Sequence, residues 1–214
     1  MTRHLVVFAK PPRIGRVKTR LANEIGPVLA TRLARTLLIA TVRRLAPDPR
    51  WQLWLAVPGA ARADALPRQL RALPRLSQGP GDLGRKMGRL LSTGPRALPP
   101  GPVLIVGSDI PALNTARIAR AFAELAKADI VLGPAADGGY WALGRSARTP
   151  FRAAWLSGVR WSTARAMEDT LAALPQDLHV GFARPGEDID DGAGYRRWRR
   201  CVAFIVQPSH ALPR

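Results

Sequence analysis

The stretch LVVFAKPPRIGRVKTRL, residues 5–21, decides the fold that we expect for this chain. It begins with an apolar run, Leu5 to Phe8, which predicts a short buried strand. A long amphipathic segment that predicts a helix comes after it, so the residues between them form a strand-to-helix loop. In an open parallel sheet such a loop emerges at the carboxyl edge of the strand, where folds of this kind bind ligands.

The composition of this loop favours an anionic ligand. Gly15 allows the backbone to approach a ligand closely, and the N-terminus of the following helix adds the positive end of its dipole. The loop cations are Lys10, Arg13, Arg16, Lys18 and Arg20. We therefore predict a phosphate-bearing ligand, and the alternative is a solvated basic surface, because arginine is abundant throughout the chain. Gly15 and Lys18 are not adjacent, which excludes the Walker A pattern, and the dinucleotide pattern G-x-G-x-x-G is also missing.

The size of the chain favours one domain. It has 214 residues, 47% of them hydrophobic, which is enough for a single well-buried core over residues 1–214. No apolar run approaches the roughly 18 residues of a membrane helix, and no signal-peptide pattern precedes the first strand, so we expect a cytoplasmic protein without a membrane partner. The lone cysteine, Cys201, excludes an internal disulfide and lies in a predicted helix, which favours an inert thiol.

The formal net charge of +18 raises the possibility of nucleic-acid binding. We rank this interpretation second, because the arginines are spread over all segments. The densest cluster, Arg196, Arg197, Arg199 and Arg200, lies on a predicted C-terminal helix, where it is more typical of a charged outer face.

Apolar runs and turn residues predict an alternation of strands and helices. Strands are predicted at residues 5–8, 51–57, 75–78, 102–107, 129–133, 140–144 and 178–183. Helices are predicted at residues 27–46, 60–73 with an interruption near Pro67, 82–91, 115–128, 162–173 and 192–202, with Asp82, Thr115 and Ser162 as caps. In the helix of residues 27–46, a buried stripe is expected at Leu29, Leu33, Leu37, Val42 and Leu45. The alternation predicts an α/β fold, three layers with a mainly parallel sheet. The strand at 140–144 follows its predecessor too closely for a helical crossover, so we expect it not to be parallel.

Asp109 follows the most apolar strand, residues 102–107. A carboxylate at the carboxyl end of a central strand is well placed to bind a divalent cation opposite the basic loop. Magnesium prefers one or two protein carboxylates together with phosphate oxygens and waters. The alternative is that Asp109 only caps the turn that follows.

Two other segments carry acidic groups that could serve a site. In Glu187-Asp188-Ile189-Asp190-Asp191 the alternation about Ile189 puts Asp188 and Asp190 on one side, as a possible second metal ligand with its partner; a surface acidic turn is the competing interpretation. The turn Asp137-Gly138-Gly139-Tyr140 suits a sugar or an acceptor group, although Asp-Gly is equally typical of a plain hairpin turn. The three histidines share no metal-ligand spacing, and we assign them no role.

Five ordered motifs together resemble the DUF2064 family, over roughly residues 4–191. They are residues 8–11 with 15–21, then 79–84, 107–111, 133–140 and 161–163. That family is placed among GT-A-type nucleotide-diphospho-sugar transferases, and some members are called arsenosugar-biosynthesis glycosyltransferases. The first motif also resembles the phosphate loop of phospholactate and molybdenum-cofactor guanylyltransferases.

The resemblance implies roles for individual residues. Lys18 and Asp109 would be catalytic, and Asp109 and Asp190 would hold Mg²⁺ or Mn²⁺. Nucleotide or phosphate contacts would come from Lys10, Gly15, Arg16, Lys18, Arg20 and Asp82. Substrate contacts would come from Asp137, Gly138, Gly139, Tyr140 and Trp161. The chain departs from the family after Asp190, where Asp191-Gly192-Ala193-Gly194 replaces the usual Thr-Pro-Glu-Asp.

Three functions remain open at this point. The family favours transfer of a sugar from a nucleotide diphosphate sugar to a small acceptor. The loop favours nucleotidyl transfer, in which a phosphorylated acceptor attacks a nucleoside triphosphate and pyrophosphate leaves. A non-catalytic binder of nucleotides or nucleic acid on the same scaffold is the third alternative.

Overall fold

One seven-stranded sheet organises the protein in its computed structural model, which describes residues 1–59, 65–92, 98–186 and 191–196. The strands are β1 (His4–Phe8), β2 (Gln52–Val57), β3 (Arg75–Ser77), β4 (Val103–Gly107), β5 (Ile130–Pro134), β6 (Tyr140–Arg145) and β7 (Val180–Phe182). Five α-helices lie wholly within the described residues: α1 (Thr19–Ile25), α2 (Pro27–Leu45), α3 (Leu83–Leu91), α4 (Thr115–Leu125) and α5 (Ala166–Ala173).

The order of the strands across the sheet is β3-β2-β1-β4-β6-β5-β7. β1 pairs in parallel with β2 and β4, β2 with β3, and β5 with β7. β6 runs antiparallel to both β4 and β5. The turn between β5 and β6 is too short for a helical crossover, so β6 must return in the opposite direction. The predicted mixed, mainly parallel sheet is confirmed.

Helices cover both faces of the sheet. On one face, α2 and α4 pack against the strands through side chains such as Leu38 and Phe122. On the other face, Met87 and Leu90 of α3 pack against side chains that include Ile105. Successive strand residues point to opposite faces, which explains why the strands read as continuous apolar runs. The predicted three-layer α/β/α architecture is confirmed.

The helix α2 begins at Pro27, as predicted, whereas the segment before it and the caps of α4 and α5 differ from the sequence-based expectation. Gly26 has a φ of 83° and Pro27 opens α2, so the amphipathic segment after the loop is divided into α1 and α2. The cap of α4 is Asn114, whose side chain accepts a hydrogen bond from the Arg117 N–H, and the predicted cap Thr115 is wrong. Ser162 is also wrong as a cap: it has a φ of 61°, whereas a capping residue needs an extended backbone, and α5 begins only at Ala166.

The helix predicted for residues 60–73 is wrong where it is described, but the interruption predicted near Pro67 is confirmed. Residues 60–64 lie outside the described residues, and the rest contains only a 3₁₀ turn, Arg68–Leu70. Pro67 immediately precedes this turn with an extended backbone, which keeps the segment from forming a regular helix. Leu29, expected in the buried stripe of α2, is 44% exposed, and the buried side of this helix begins instead at its neighbour Ala30.

The predicted C-terminal helix is described only in part. Residues 192–196 are helical, and Cys201 together with the arginines of residues 197–200 lies outside the described residues. Among the residues that the structure describes, no helix combines the length and the apolar character needed to cross a membrane.

Candidate active site

A cleft of about 460 Å³ lies where β1, β4 and β6 meet the loops at the carboxyl edge of the parallel strands. Its walls come from the β1–α1 loop, the end of β4, the β5–β6 turn and the segment before α5. The residues that line it include Lys10, Lys18, Thr19, Arg20, Leu83, Gly107, Asp109, Asp137, Gly139, Tyr140, Trp161, Ser162 and Thr163. Sequence positions that are up to 156 residues apart, Lys10 and Ala166, therefore meet in one site.

Lys18 and Asp109 form an ion pair in this cleft. Lys18 Nζ donates to Asp109 Oδ2 at 2.7 Å, and the two side chains are 6% and 34% exposed, respectively. The Lys18 backbone is left-handed, with φ 50° and ψ 45°, a conformation that costs a residue with a Cβ about 1 kcal/mol or more. Packing around the loop therefore holds Lys18 in an unfavourable conformation that directs its ammonium group at the carboxylate.

A second strained residue faces this loop from the other side of the cleft. Ser162 is left-handed, and its carbonyl accepts a hydrogen bond of 3.3 Å from Arg20 Nη2. Its segment is fixed to α5 by Arg160, which donates to both carboxylate oxygens of Asp169. This hydrogen bonding lowers the pKa of Asp169 to about 2. The Arg20 contact thus links the basic loop to a segment that is itself anchored.

Two aromatic rings form a wall of the cleft. The rings of Tyr140 and Trp161 meet edge to face, with centroids 6.3 Å apart and planes at 81°. Burial raises the pKa of the Tyr140 hydroxyl, which lies 3.3 Å from Thr170 Oγ1. Trp161 packs so closely on α3 that a Cβ at Gly84 would lie 2.7 Å from its ring. The wall is therefore rigid, and the Tyr140 hydroxyl is already engaged.

The β5–β6 turn brings Asp137 to the cleft. One carboxylate oxygen of Asp137 accepts a hydrogen bond of 2.9 Å from the Gly139 N–H. Gly138 does not line the cleft, and its φ of 82° and the Ala164 carbonyl, 2.1 Å from where a Cβ would stand, explain why glycine is needed there. Its predicted contact with substrate stays a prediction, while its structural role is to let the turn pack against Ala164.

The other predicted site residues lie outside the described cleft lining. Gly15 and Arg16 belong to the same loop but are not among its lining residues. Asp82 caps α3 by accepting a hydrogen bond of 2.8 Å from the Arg85 N–H, as its predicted capping role requires. Asp190 lies outside the described residues. Thr19, Ser162 and Thr163 were missed as lining residues, although the quoted motif Trp161-Ser162-Thr163 placed two hydroxyl groups beside a predicted aromatic contact.

The donor set around Asp109 suits a hard cation that shares its ligands with a substrate. Among the described residues, no group of three or more Asp, Glu, His or Cys side chains could hold a metal by itself. A partly exposed carboxylate in an open cleft, with phosphate oxygens and waters as further ligands, is the arrangement that Mg²⁺ takes at phosphate sites. The residues present fit such an ion and do not resemble a closed structural site.

Comparison with solved structures identifies the class of fold. A candidate nucleotide-diphospho-sugar transferase from Desulfovibrio desulfuricans G20 is 25% identical, with a TM-score of 0.76 over 96% of this chain and 97% of that one. The inositol-1-phosphate CTP transferase of T. maritima is 10% identical, with a TM-score of 0.58 over 99% and 98%. A homologue of Mycobacterium tuberculosis Rv0371c from Mycobacterium sp. strain JC1 is 19% identical, with a TM-score of 0.54 over 95% and 98%. The fold is that of nucleotide-diphospho-sugar transferases and nucleotidyltransferases.

Residues 41–163 match the family described as "Uncharacterized protein conserved in bacteria (DUF2064)", and the chain belongs to this family. The expected family is thereby confirmed. A search of curated proteins gave no match.

Proposed function

We propose that this protein is a divalent-metal-dependent glycosyltransferase that moves a sugar from a nucleotide diphosphate sugar to a small acceptor, within a single catalytic domain. The observation that carries the proposal is the Lys18–Asp109 pair, 2.7 Å apart, in a cleft at the carboxyl edge of the sheet. Open α/β sheets bind their ligands at this edge. The likeness to a candidate nucleotide-diphospho-sugar transferase over nearly the whole of both chains supports the proposal.

The charges of the cleft suit a diphosphate. Lys10, Lys18 and Arg20 line it from one side, and Asp109 lies opposite Lys18. Transfer of a glycosyl group breaks the bond between the anomeric carbon and the diphosphate oxygen, and the nucleoside diphosphate leaves with the electron pair. Such a step needs positive charge at the leaving group more than it needs a covalent nucleophile on the protein. We assign this task to the three cations.

Asp109 would hold Mg²⁺ or Mn²⁺, which when bound neutralises charge on the diphosphate. Asp190 is our candidate for the second carboxylate. Support comes from the residues on either side of the acidic stretch: the Gly186 N–H donates to the Pro134 carbonyl, next to the cleft residue Ala135, and the Gly192 N–H donates to Glu24 of α1 at 2.8 Å. These hydrogen bonds connect the described residues Gly186 and Gly192, which flank the acidic stretch in the sequence, to β5 and α1.

Lys18 has two tasks in this proposal. Without substrate, its ammonium group neutralises Asp109, which limits the cost of partly burying both charges. With substrate bound, Asp109 would hold the cation and the ammonium group of Lys18 would pair with phosphate oxygens. Because each charge exchanges one partner for another, the nucleotide can bind without leaving either charge unpaired.

The acceptor would lie along the opposite wall, against Asp137, Gly139, Tyr140 and Trp161. This wall faces the basic loop across the cleft, so an acceptor oxygen there could attack the anomeric carbon while the diphosphate remains on the cations. Rigid aromatic faces are suited to hold a ring or an apolar group in a fixed orientation.

Nucleotidyl transfer is the second candidate, and the number of cations in the basic loop favours it. Lys10, Lys18 and Arg20 would match the charge of a triphosphate at least as well as that of a diphosphate. The two candidates share the metal and the loop and differ in which bond breaks.

The test is a thermal-shift panel of nucleoside triphosphates and nucleotide diphosphate sugars, each with Mg²⁺, with Mn²⁺ and with chelator. A ligand at about 100 times its Kd adds about 2.7 kcal/mol to the stability, which raises the Tm of a chain this size by roughly 5 to 10 °C. Metal-dependent stabilisation by one nucleotide sugar supports the glycosyltransferase, and stabilisation by one triphosphate supports the nucleotidyltransferase. No response to any nucleotide, with salt-sensitive oligonucleotide binding instead, would contradict both.

A further inference from the structure

A small apolar cavity of about 120 Å³ adjoins the cleft. We call it the apolar annex, and it is lined by Phe8, Leu83, Met87, Ile105, Tyr140 and Leu143. Leu83, Gly107 and Tyr140 also line the cleft, so the two spaces share a border. The annex lies between α3 and the ends of β1, β4 and β6, on the sheet face that α3 covers.

The annex differs from the cleft in what it offers a ligand. The cleft presents ammonium, guanidinium and carboxylate groups, whereas the annex lining carries no charged side chain. The two polar side-chain groups at its border are already engaged: the Tyr140 hydroxyl lies 3.3 Å from Thr170 Oγ1, and the Trp141 ring N–H donates to the Arg184 carbonyl at 3.0 Å. A hydroxyl or phosphate group placed there would exchange its hydrogen bonds with water for none.

The position of the annex indicates which part of a substrate would enter it. Gly107, at the shared border, is two residues before Asp109, and Tyr140 belongs to the wall that we assigned to the acceptor. A nucleobase carries donors and acceptors around its rings, which the annex would leave unpaired. An alkyl group makes no hydrogen bonds with water, so it loses none in the annex, and the burial of its apolar surface is favourable.

We propose that the annex binds an apolar substituent of the acceptor substrate, an inference that rests on the proposed transferase function. A closed apolar cavity of about 150 Å³ holds benzene. The annex is an open pocket of about 120 Å³, so by volume it has room for a slightly smaller group, of about four or five carbon atoms. The acceptor class is therefore a molecule with one nucleophilic oxygen near Asp109 and a short branched or cyclic alkyl group a few bonds away.

Leu83 lies at the border between the annex and the cleft. It is the first residue of α3, it lines both spaces, and it is 39% exposed, so a larger side chain can be introduced there without enlarging the core. Val28, in the first turn of α2, is 55% exposed and lies outside both spaces. The pair Leu83→Trp and Val28→Trp therefore places the same added bulk at the entrance and at a control position.

The experiment follows the methyl signal of Met87 by NMR in the full chain labelled at the methionine methyl groups. Isobutanol and cyclopentanol are the apolar probes, glycerol is the polar probe of similar size, and the exposed Met1 reports non-specific effects. We expect both apolar probes to shift the Met87 signal saturably and glycerol not to shift it. Leu83→Trp should weaken the binding of the apolar probes by about tenfold or more, and Val28→Trp should leave it unchanged.

The proposal is overturned if neither apolar probe shifts the Met87 signal, or if glycerol shifts it equally. These comparisons are made on the unmodified chain, so they do not depend on the folding of a variant. The nucleotide panel with Mg²⁺, run on the same protein, separates the two hypotheses. Nucleotide binding without probe binding removes the annex proposal alone, whereas probe binding without any nucleotide response overturns the transferase and, with it, the assignment of the annex to an acceptor.

Discussion

A buried cation lies at each end of β6, one beside the cleft and one at the end of the strand away from it. The two cations differ in the groups to which they donate hydrogen bonds. Near Tyr140, at the cleft, the Lys18 side chain is 6% exposed and pairs with a carboxylate. At the other end, Arg145 is 3% exposed, and it donates to the backbone carbonyls of Leu91, Gly101 and Ser146. Both cations are buried, but only Lys18 pairs with a carboxylate, that of Asp109, which could bind a different cation.

This difference separates a structural charge from a functional one. Backbone carbonyls are fixed by the strands and loops that carry them, so Arg145 has no alternative arrangement to adopt. The Lys18–Asp109 pair joins two side chains at the edge of an open cleft, and Lys18 sits in a strained backbone conformation. Strained, partly buried charges beside a cleft are the arrangement expected of a binding site.

The largest expected effect is a loss of stability on substitution of Arg145, at the end of β6 away from the cleft. Arg145→Met should lower the free energy of unfolding by about 3 kcal/mol, because it leaves the carbonyls that the guanidinium satisfies without donors in a buried place. Urea denaturation measures this loss. Arg148→Met is the control, since the Arg148 side chain is 57% exposed and should contribute less than about 1 kcal/mol. Equal losses in the two variants would contradict the comparison.

The next effect tests the functional end. Asp109→Asn should remove the metal-dependent part of nucleotide affinity, about a hundredfold, because the amide keeps the shape but cannot neutralise a divalent cation. Calorimetric titration of nucleotide with and without Mg²⁺ measures it. Asp177→Asn changes an exposed carboxylate outside the cleft and should leave the metal dependence intact. Metal dependence that survives in Asp109→Asn would remove Asp109 from the proposed site.

Much of the fold could be predicted from the sequence, because apolar runs and turn residues act locally. The short β5–β6 turn was enough to predict the antiparallel β6. Ser162 failed as a predicted cap because its left-handed backbone is set by the contact with Arg20 and by the cleft around it, and a side-chain preference cannot reveal that.

The site was predictable as a basic loop opposite a carboxylate, but not as a particular pair of side chains. Lys18 was expected in the loop after β1 and Asp109 at the end of β4, but their direct pairing across 91 positions depends on the register of β1 with β4. The buried Arg145 was not anticipated, because an arginine at the end of a strand normally points to water, and only the neighbouring chain segments supply its carbonyl partners. Long-range contacts of this kind carry no local pattern.

A smaller effect tests the proposal that Lys18 exchanges Asp109 for phosphate oxygens when the nucleotide binds. Lys18→Met keeps the length of the side chain and removes its charge, so nucleotide affinity should fall about tenfold. The affinity of Mn²⁺ alone for the protein should rise, because the ammonium group no longer competes for Asp109. Lys127→Met, at a side chain that is 73% exposed, should change neither affinity. A purely structural ion pair would lower stability and move the two affinities in the same direction.

The smallest effect concerns the pH dependence of stability and involves His4. This residue begins β1 beside Arg145, at the end of β6 away from the cleft. Burial lowers the pKa of His4, the carbonyls of Pro99 and Pro100 oppose this shift, and the charge of Arg145 adds to it. Between the folded-state pKa and the ordinary histidine pKa of 6.5, the unfolded chain binds more protons than the folded one. The contribution of His4 to stability is therefore present above pH 6.5 and decreases as the pH falls below it.

Urea denaturation between pH 7 and pH 5 should therefore give a falling free energy of unfolding, and His4→Gln should flatten that dependence. If His4→Gln kept the full slope, the proton uptake would belong to another group. The buried Arg145 would then be insensitive to the protonation of His4. It would differ still more from the Lys18–Asp109 pair at the cleft, whose members we propose exchange partners.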